Sequence, residues 1–472
     1  MTASDTAAEP AISPARPPGM VLALCCAAQF MVVVDVTIMN VALPDIRTGL
    51  HLGVTGQQWV INAYTLTFAG FLLLGARAAD LIGHRRVMLA GLSMFTLFSV
   101  LGGLAPCGGW LIAARTVQGV GGALLAPSTL SVLTTAFTRP DARRKALGAW
   151  TGTAAAGAAA GMVAGGVLTD LLDWRWVLFV NGPIGASLLA AVPRYLDPTG
   201  PHTRSRRRLD VWGAVLATCG LSCLVYGIVT AAQLAWTAPT TLGALVLGVV
   251  LLAAFALVEA RRGDTALIPL RVLRMRRLML ANGVAATIGV ALFGMYFFMS
   301  LFLQDVNRYA PLRAGLAFMP AGLATMAGTL LGSRTVVRLG AGRQIMIGLA
   351  AAAAGTWWLS GNDGPVGYAD HVLAPLVLTG LGLGSAFVPT TGTATSDVPA
   401  SQAGLAAGLV TTSRQIGAAL GLAVMTTAAG HAGPGAGEGV GAALRVASGV
   451  LAAGVVLGGI LGRRGPDPAS AA

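Results

Sequence analysis

The sequence predicts an all-α polytopic membrane protein. Of its 472 residues, 55% are hydrophobic and only 10% are charged, and the mean hydropathy is +0.74. Soluble domains carry about 25% charged residues. Apolar runs long enough to cross a ~30 Å hydrocarbon core as helices recur from Met20 to the C-terminus. Together these features leave almost no sequence for a soluble domain.

Fourteen apolar runs are predicted as transmembrane spans. The first is too long for the apolar core of a signal peptide, so it is expected to stay as a membrane anchor. The approximate limits of the spans are 20–44, 57–75, 87–105, 110–136, 146–168, 175–193, 210–229, 240–258, 279–303, 313–333, 344–360, 371–396, 403–428 and 440–462.

Basic residues are concentrated on one side of the predicted membrane. With the N-terminus in the cytoplasm, 24 of the 31 basic residues fall in cytoplasmic loops and tails, and two, Arg115 and Arg414, lie within spans. Cytoplasmic loops of membrane proteins are enriched in Lys and Arg. Both termini are therefore predicted to be cytoplasmic. The net charge of +13 is therefore explained by the orientation of the protein in the membrane, and not by a surface that binds nucleic acid.

Two internal matches divide the chain into halves. Gly83–Arg86 matches Gly340–Arg343, and residues 122–129 match residues 384–391. Both matches pair spans 3 and 4 with spans 11 and 12, and transporters are often built from such repeats. The predicted organisation is a tail at 1–19, a six-helix bundle at 20–193, basic loops with two inserted spans at 194–278, a second six-helix bundle at 279–462 and a tail at 463–472.

Asp35 stands in the middle of the first apolar run. A charged side chain at mid-bilayer costs at least ~2.5 kcal/mol on insertion scales, which makes it a functional candidate. The depths of Asp35 and of Arg115 in span 4 differ by about one turn, and a pair is cheaper to bury than two separate charges. A change in their contact would switch Asp35 between holding and releasing a proton. A static ion pair that fixes helix packing is the alternative. Arg414, in span 13, has no assigned partner or role.

A polar stripe on span 2 is the predicted lining of a substrate cavity. Gln58, Asn62 and Thr65 share one helix face, and polar groups in a membrane helix must face protein or water. Gln118, three residues beyond Arg115, is a further candidate. Ordinary hydrogen bonds between helices are the alternative. The aromatic, Met-rich run 293–299 is expected to contact lipid, or else to offer an adaptable apolar surface to ligands.

The segments 34–44 and 59–66 resemble the first- and second-span signatures of the fourteen-span drug:proton antiporters of the major facilitator superfamily. Arg115 and Gln118 are similar to a span 4 motif that is linked in this family to proton transfer. The loop after span 2 resembles the superfamily's cytoplasmic motif, although Leu81 stands where an Arg is usual. The residues of this motif are Asp80, Gly83, Arg85 and Arg86. Contacts among its charged side chains would stabilise one conformation of the transporter. The alternative is that its arginines only keep the loop on the cytoplasmic side.

A glycine series in span 5 is the most specific resemblance. It has the spacing of the family's antiporter motif, but Met162 replaces the usual proline. Small residues let another helix approach closely, and such contact between the halves would seal a leak path; generic packing is the alternative. The series is Gly148, Gly157, Gly161, Gly165 and Gly166.

The resemblance implies a proton-coupled secondary exporter of amphiphilic small molecules, working by alternating access as a monomer in the plasma membrane of a bacterium. Its partners would be substrate, protons and lipid, with no metal, no nucleic acid and no cofactor besides the proton gradient. A symporter or uniporter of the same fold that imports a nutrient is the alternative. The only lysine, Lys145, precedes Ala146, which excludes the phosphate-binding loop of an ATP-driven pump. No enzyme activity is predicted, and the sequence does not name the substrate.

Overall fold

Helices account for nearly all of the described chain. The computed structural model describes residues 18–137, 139–196, 211–234, 236–262, 275–362, 364–396, 398, 403–432 and 435–462. The α-helices in these ranges are α1 Pro18–Gly49, α2 Val54–Ile82, α3 His84–Gly103, α4 Gly108–Ala136, α5 Pro140–Leu171, α6 Trp176–Phe179, α7 Asn181–Tyr195, α8 Val211–Leu234, α9 Pro239–Arg262, α10 Arg276–Leu301, α11 Pro311–Leu339, α12 Ala341–Leu359, α13 Ala374–Ser396, α14 Ala403–His431 and α15 Ala436–Gly462. Two π-helical segments, Phe302–Val306 and Tyr368–Leu373, follow α10 and precede α13.

Eleven helical segments of the described chain are long and apolar enough to cross a membrane. The long helices α5, α12 and α14 are not among them, although α5 contains a shorter apolar stretch, Ala156–Leu171. The all-helical prediction is therefore confirmed, while the count of fourteen spans stays a prediction. Residues 1–17 and 463–472 of the two predicted tails and most of the basic loops, at 197–210 and 263–274, lie outside the described residues.

The two halves repeat the same packing. Gly83 joins α2 to α3 with a φ of 102°, and its sequence match Gly340 joins α11 to α12 with a φ of 78°, a conformation that glycine adopts without steric cost. In the first half, Gly122 of α4 packs against α2; in the second, Gly384 of α13 packs against Thr325 of α11. The segments matched in the sequence therefore occupy equivalent places.

Helices α8 and α9 lie beside the two halves. Gly70 of α2 lies directly against Thr218 of α8, and Thr427 of α14 donates a hydrogen bond of 3.2 Å to the carbonyl of Ile228 in α8. On α9, large apolar side chains such as Val246 and Val249 are exposed. This pair of helices thus contacts one helix from each half and presents an apolar outer surface of the kind that lipid covers.

Contacts between the halves close one end of the bundle. We call the end that holds the start of α1 and the end of α15 the terminal face, and the other end the opposite face. At the opposite face, Ser300 donates to the Asn40 carbonyl at 2.7 Å, and Gln304 donates to the Val41 carbonyl at 3.0 Å. An apolar cluster drawn from both halves fills the space behind these bonds; its members include Ile38, Leu43, Phe297, Phe302, Phe318 and Met425.

The run 293–299 belongs to this closed end. Its residues Met295, Tyr296, Phe297, Phe298 and Met299 are all buried in the cluster. The expectation that this run contacts lipid is therefore wrong for these five side chains. The physical reason is that an apolar helix in a membrane has no hydropathy contrast between its lipid face and its protein face.

The halves separate toward the terminal face. Helices α5 and α11 are in contact where Ala159 meets Gly322. Nearer the terminal face, a Cβ added to Gly148 of α5 would meet no atom within 4 Å, while Leu330 and Leu331 of α11 are exposed. The protein is thus sealed at the opposite face and parted at the terminal face.

Replacing Gly166 with valine is expected to part the halves at the opposite face. An added Cβ at Gly166 would lie 2.7 Å from the carbonyl oxygen of Pro311 in α11. Overpacking costs roughly 1–3 kcal/mol, which shifts a two-state equilibrium roughly 5- to 150-fold. In a variant without the native cysteines, the maleimide labelling rate of Ser300→Cys in detergent should rise.

Gly148→Val is the matched control for this experiment, because an added Cβ there would meet no described atom within 4 Å. It should leave the labelling rate of Ser300→Cys unchanged. An equal rate in Gly166→Val and in the Gly166 parent would show that this glycine contact does not hold the opposite face closed.

Candidate functional site

A fully buried ion pair lies inside the first half. Asp35 of α1 is 0% exposed and Arg115 of α4 is 2% exposed. The Oδ2 atom of Asp35 lies 2.6 Å from the Nη1 atom of Arg115. Each charge alone would be costly at this depth, and a partner offsets that cost only when the remaining polar atoms are also satisfied. The structure brings together the two residues that the sequence singled out.

Three polar side chains complete this ion-pair network. Gln118 donates to Asp35 Oδ1 at 2.8 Å and accepts from Arg115 Nη1 at 2.8 Å. Asn181, at the start of α7, donates to Asp35 Oδ1 at 2.9 Å and to Ser99 of α3 at 3.0 Å. Both ends of the Gln118 amide are used within the chain. In this conformation Gln118 therefore belongs to the ion-pair network and not to the cavity lining that was predicted for it.

Helix α2 walls off the other side of Arg115. The Nε atom of Arg115 donates to the Val60 carbonyl at 3.4 Å, and its guanidinium carbon lies 4.3 Å from the ring centre of Tyr64. Cation–π contacts of this kind are attractive. Tyr64 in turn stacks on Phe68 and meets Phe95 edge-on. The pair is thus enclosed by protein on every side, and proton exchange at Asp35 requires this enclosure to open.

Three residues of this site, Asn181, Ser99 and Tyr64, are not among those predicted from the sequence. Each is a polar residue within an apolar run, which is the same signal that selected Asp35. Asn181 comes directly before Gly182, at the short break between α6 and α7. A polar residue at a break inside an apolar run therefore indicates a side chain that forms a buried hydrogen bond.

The polar stripe of α2 faces the space between the halves. Leu66 packs toward α8 and α14, and Tyr64 points toward Arg115 of α4. The stripe of Gln58, Asn62 and Thr65 lies on the helix face between these two directions. All three side chains are buried.

The donors and acceptors of the Gln58 and Asn62 side-chain amides are unused by the described part of the chain. Neither amide has a hydrogen-bond partner among the described residues. A buried polar group without a partner costs about 1–3 kcal/mol, and native proteins keep few such groups. A molecule bound in the central space would satisfy these amides and recover that cost.

The glycine series of α5 packs mainly within the first half. An added Cβ at Gly157, Gly161 or Gly165 would lie 2.8–3.4 Å from carbonyl oxygens of α1. Gly166 is the member of the series that meets the other half, at α11. In this conformation Gly148 does not make the predicted close approach to any described atom, because α5 and α11 have already parted at its level. The seal between halves therefore rests on Gly166.

The loop after α2 contributes a turn and exposed arginines. Gly83 supplies the positive φ between α2 and α3, Arg85 is partly exposed and Arg86 is exposed. The side chain of Asp80 lies outside the described part of the structure. Its contact with the two arginines therefore stays a prediction.

Arg414 lies on α14 in the second half. Its guanidinium carbon is 5.4 Å from the ring centre of Phe387 in α13, and its side chain is partly exposed. Within the described residues it forms no ion pair. Unlike Asp35 and Arg115, it is a charge at membrane depth without an oppositely charged partner in the described part of the chain.

Comparison with known proteins shows which family the chain resembles. The family described as Major Facilitator Superfamily matches residues 25–422. The chain is 42% identical over 412 residues to the puromycin resistance protein pur8 of Streptomyces alboniger, covering 86% of this chain and 80% of that protein. It is 42% identical over 415 residues to the cephamycin export protein CmcT of Amycolatopsis lactamdurans, covering 87% and 84%.

The chain is also similar to more distant relatives. The multidrug resistance protein Stp of Mycobacterium tuberculosis is 35% identical over 401 residues, covering 84% of this chain and 73% of that protein. The crystal structure of the POT family transporter PepTSo matches with a TM-score of 0.69 at 16% identity, covering 95% of this chain and 98% of that one. At this identity the structural match shows a shared fold.

Removing one partner of the ion pair is expected to destabilise the protein more than removing both. Arg115→Met leaves an uncompensated buried carboxylate, a change that costs roughly 3–5 kcal/mol, whereas Asp35→Asn combined with Arg115→Met leaves none. Thermal unfolding in detergent checks this, and the single variant should unfold at the lower temperature. Arg445→Met, at an exposed position on α15, is the control. A double variant less stable than Arg115→Met would refute the charge argument.

Proposed function

Because this chain belongs to the Major Facilitator Superfamily, we propose that it is a proton-coupled exporter of amphiphilic small molecules that works by alternating access. The enclosed Asp35–Arg115 pair is the observation that carries the proposal, since a carboxylate held in this way changes its contacts when it takes a proton. The names of the relatives, which describe resistance to puromycin, export of cephamycin and multidrug resistance, support efflux of a drug or antibiotic as the role.

The proposed topology has fourteen spans with both termini in the cytoplasm. Helices α5, α12 and α14 would add to the eleven apolar segments, with α6 and α7 forming one span together. The excess of arginines in the loops at the terminal face supports placing that face in the cytoplasm. The bacterial relatives support the plasma membrane of a bacterium as the location. The protein acts as a monomer in the bilayer and uses no cofactor besides the proton gradient.

In this topology the structure corresponds to an inward-facing conformation. The terminal face is parted toward the cytoplasm and the opposite face is sealed. Substrate would enter from the cytoplasm or the inner leaflet and reach the stripe of Gln58, Asn62 and Thr65. The amides of the stripe would orient the polar groups of the substrate, while its hydrophobic body would lie against the apolar side chains that border the central space.

Protonation of Asp35 would keep the seal open in the outward-facing state. A neutral Asp35 loses its ionic attraction to Arg115, so α1 becomes free to shift against α4 and α7. The Asn40 and Val41 carbonyls that accept the closing hydrogen bonds lie on the same helix, roughly 8 Å further along its axis. A movement of α1 therefore reaches the opposite face. Facing outward, Asp35 would take its proton from the outside as substrate leaves; facing inward, it would release that proton to the cytoplasm and pair with Arg115 again.

The native Cys107 tests the proposed topology. It is exposed at the opposite face, before α4. A membrane-impermeant maleimide should label it in intact cells, because this face is proposed to be extracellular, and Cys107→Ser should remove the signal. Labelling that appears only after the cells are permeabilised would place the opposite face in the cytoplasm and reverse the proposed direction of transport.

Asp35→Asn tests the proposed coupling. In inside-out membrane vesicles with an acidic lumen, wild type should accumulate amphiphilic fluorescent dyes in the lumen, and an uncoupler should abolish this. Asp35→Asn should lower proton-driven accumulation to background but retain dye-for-dye exchange, which needs no proton. Asp173→Asn, at an exposed aspartate, is the control.

The vesicle assay also separates the alternatives. A symporter of the same fold would move dye out of the acidic lumen together with protons, and a uniporter would ignore the gradient. Unchanged accumulation in Asp35→Asn would remove this carboxylate from the mechanism.

A further inference from the structure

We propose that Arg414 binds an anionic oxygen group of the exported molecule, such as a carboxylate, so that the substrate class includes amphiphilic organic anions. This inference rests on the proposed export function and assigns the charge of its substrate. Among the described residues, three charged side chains lie well inside the apolar spans: Asp35, Arg115 and Arg414. The first two neutralise each other, which leaves Arg414 as the group that determines which charge the central space attracts.

The position of Phe387 indicates the direction in which this guanidinium lies. On α13, Leu383 and Ala386 pack in a cluster with α10, α12 and α15, and Phe387 is partly buried against the same cluster. Gly384 packs against α11, and Phe387 lies on the helix face between Leu383 and Gly384. The helices α10 and α11 are also the ones that contact α1 and α5 of the first half. We therefore place the Phe387 ring and the guanidinium beside it on the side of α13 that faces the first half.

The contacts of α14 give the depth of Arg414. Gly408 packs against Leu73 of α2, and Ala419 clusters with Leu66 of α2. Arg414, between Gly408 and Ala419, is thus level with the 66–73 part of α2. Arg115 contacts α2 at Val60, nearer the opposite face. The Arg414 side chain therefore lies about two helical turns closer to the open terminal face than the ion pair.

Arg414 has donors that the described part of the chain does not use. A guanidinium carries five N–H groups, and the contact found for this one is the ring of Phe387 at 5.4 Å. The intramembrane carboxylate, Asp35, already accepts from Arg115, Gln118 and Asn181. An anion that satisfies Arg414 would therefore come from outside the described part of the chain, and Arg414 is partly exposed.

The surroundings of Arg414 fit an aromatic or otherwise apolar acid. The guanidinium geometry matches an oxyanion with two hydrogen bonds. The Phe387 ring offers a flat apolar surface next to it. A fixed positive charge on the wall would repel organic cations and attract organic anions, and the low dielectric of the bundle strengthens both effects.

Binding of three dyes of different charge tests the proposal. Purified full-length protein in nanodiscs is titrated with the anionic dye anilinonaphthalene sulfonate, the neutral dye N-phenylnaphthylamine and the cationic dye ethidium. Arg414→Gln should weaken binding of the anionic dye by roughly tenfold or more, since a hydrogen bond to a charged group is worth about that much. Binding of the neutral dye should be unchanged, which also reports that the variant is folded.

Two further variants sharpen the result. Arg414→Lys keeps the charge and should retain part of the affinity for the anionic dye. Arg445→Gln removes an exposed arginine on α15 and should leave all three affinities unchanged. Equal loss for all three dyes in Arg414→Gln, or no loss for the anionic dye, would overturn the proposal.

These binding measurements do not depend on the proposed transport cycle. They need no proton gradient. If the vesicle assay shows no Asp35-dependent export, the binding measurements can therefore still confirm or refute the role of Arg414. If export is observed, Arg414→Gln should abolish accumulation of the anionic dye and keep that of the neutral one. Loss of proton coupling for every dye would instead make Arg414 a part of the conformational cycle, and the substrate assignment would be wrong.

Discussion

The fold of the first half depends on the cost of placing the Asp35 carboxylate in an apolar bundle. That cost is offset only because Arg115 of α4, Gln118 of α4 and Asn181 of α7 all converge on it. Three helices are therefore held in register by one side chain. The glycines Gly161 and Gly165 bring α5 against α1 next to this point, so little space is left around the carboxylate for water. Burial of the charge and close packing of α5 support each other.

The closed end depends on a different kind of contact, which suits a seal that must break and form again. It uses neutral hydrogen bonds to α1 carbonyls, apolar packing and one exposed ion pair, between Arg47 and Asp305 at 3.7 Å. Exposed pairs contribute little to stability, and each neutral hydrogen bond contributes about 1 kcal/mol net. Gln304 and Asp305 both lie in the π-helical turn after α10, a distortion often found at functional sites. The seal is thus built from many weak interactions, and a shift of α1 would break them together.

Several parts of this arrangement could be predicted from the sequence. Hydropathy gave most of the spans, and counting residues from the span ends placed Asp35 and Arg115 at similar depths. The positions of Gly83 and Gly340 followed from the internal repeat. Other parts could not be predicted, because in a membrane the same apolar residue serves lipid and protein contacts equally well. The run 293–299 was therefore assigned to lipid, although five of its side chains fill the closed end.

The glycine series shows a second limit of the sequence. Its spacing predicts that a backbone comes close, but it does not say which backbone, and three of the five glycines meet α1 of the same half. The network around Asp35 shows a third. Asn181 follows a break between two short helices, and its distance from Asp35 along the chain gives no sign that the two side chains meet. Only the packing of α7 against α1 and α3 decides that.

The separation of Asp35 from Arg414 constrains how protons and substrate are coupled. An anion held at Arg414 does not compete with a proton for Asp35, since the carboxylate is enclosed by its own partners and lies about two turns away. Protonation of Asp35 would even make the interior more positive and favour the anion electrostatically. Exchange therefore requires that the two ligands favour opposite conformations, the anion the inward-facing one and the proton the outward-facing one. Coupling passes through the movement of α1 and the seal at the opposite face, and not through a shared binding group.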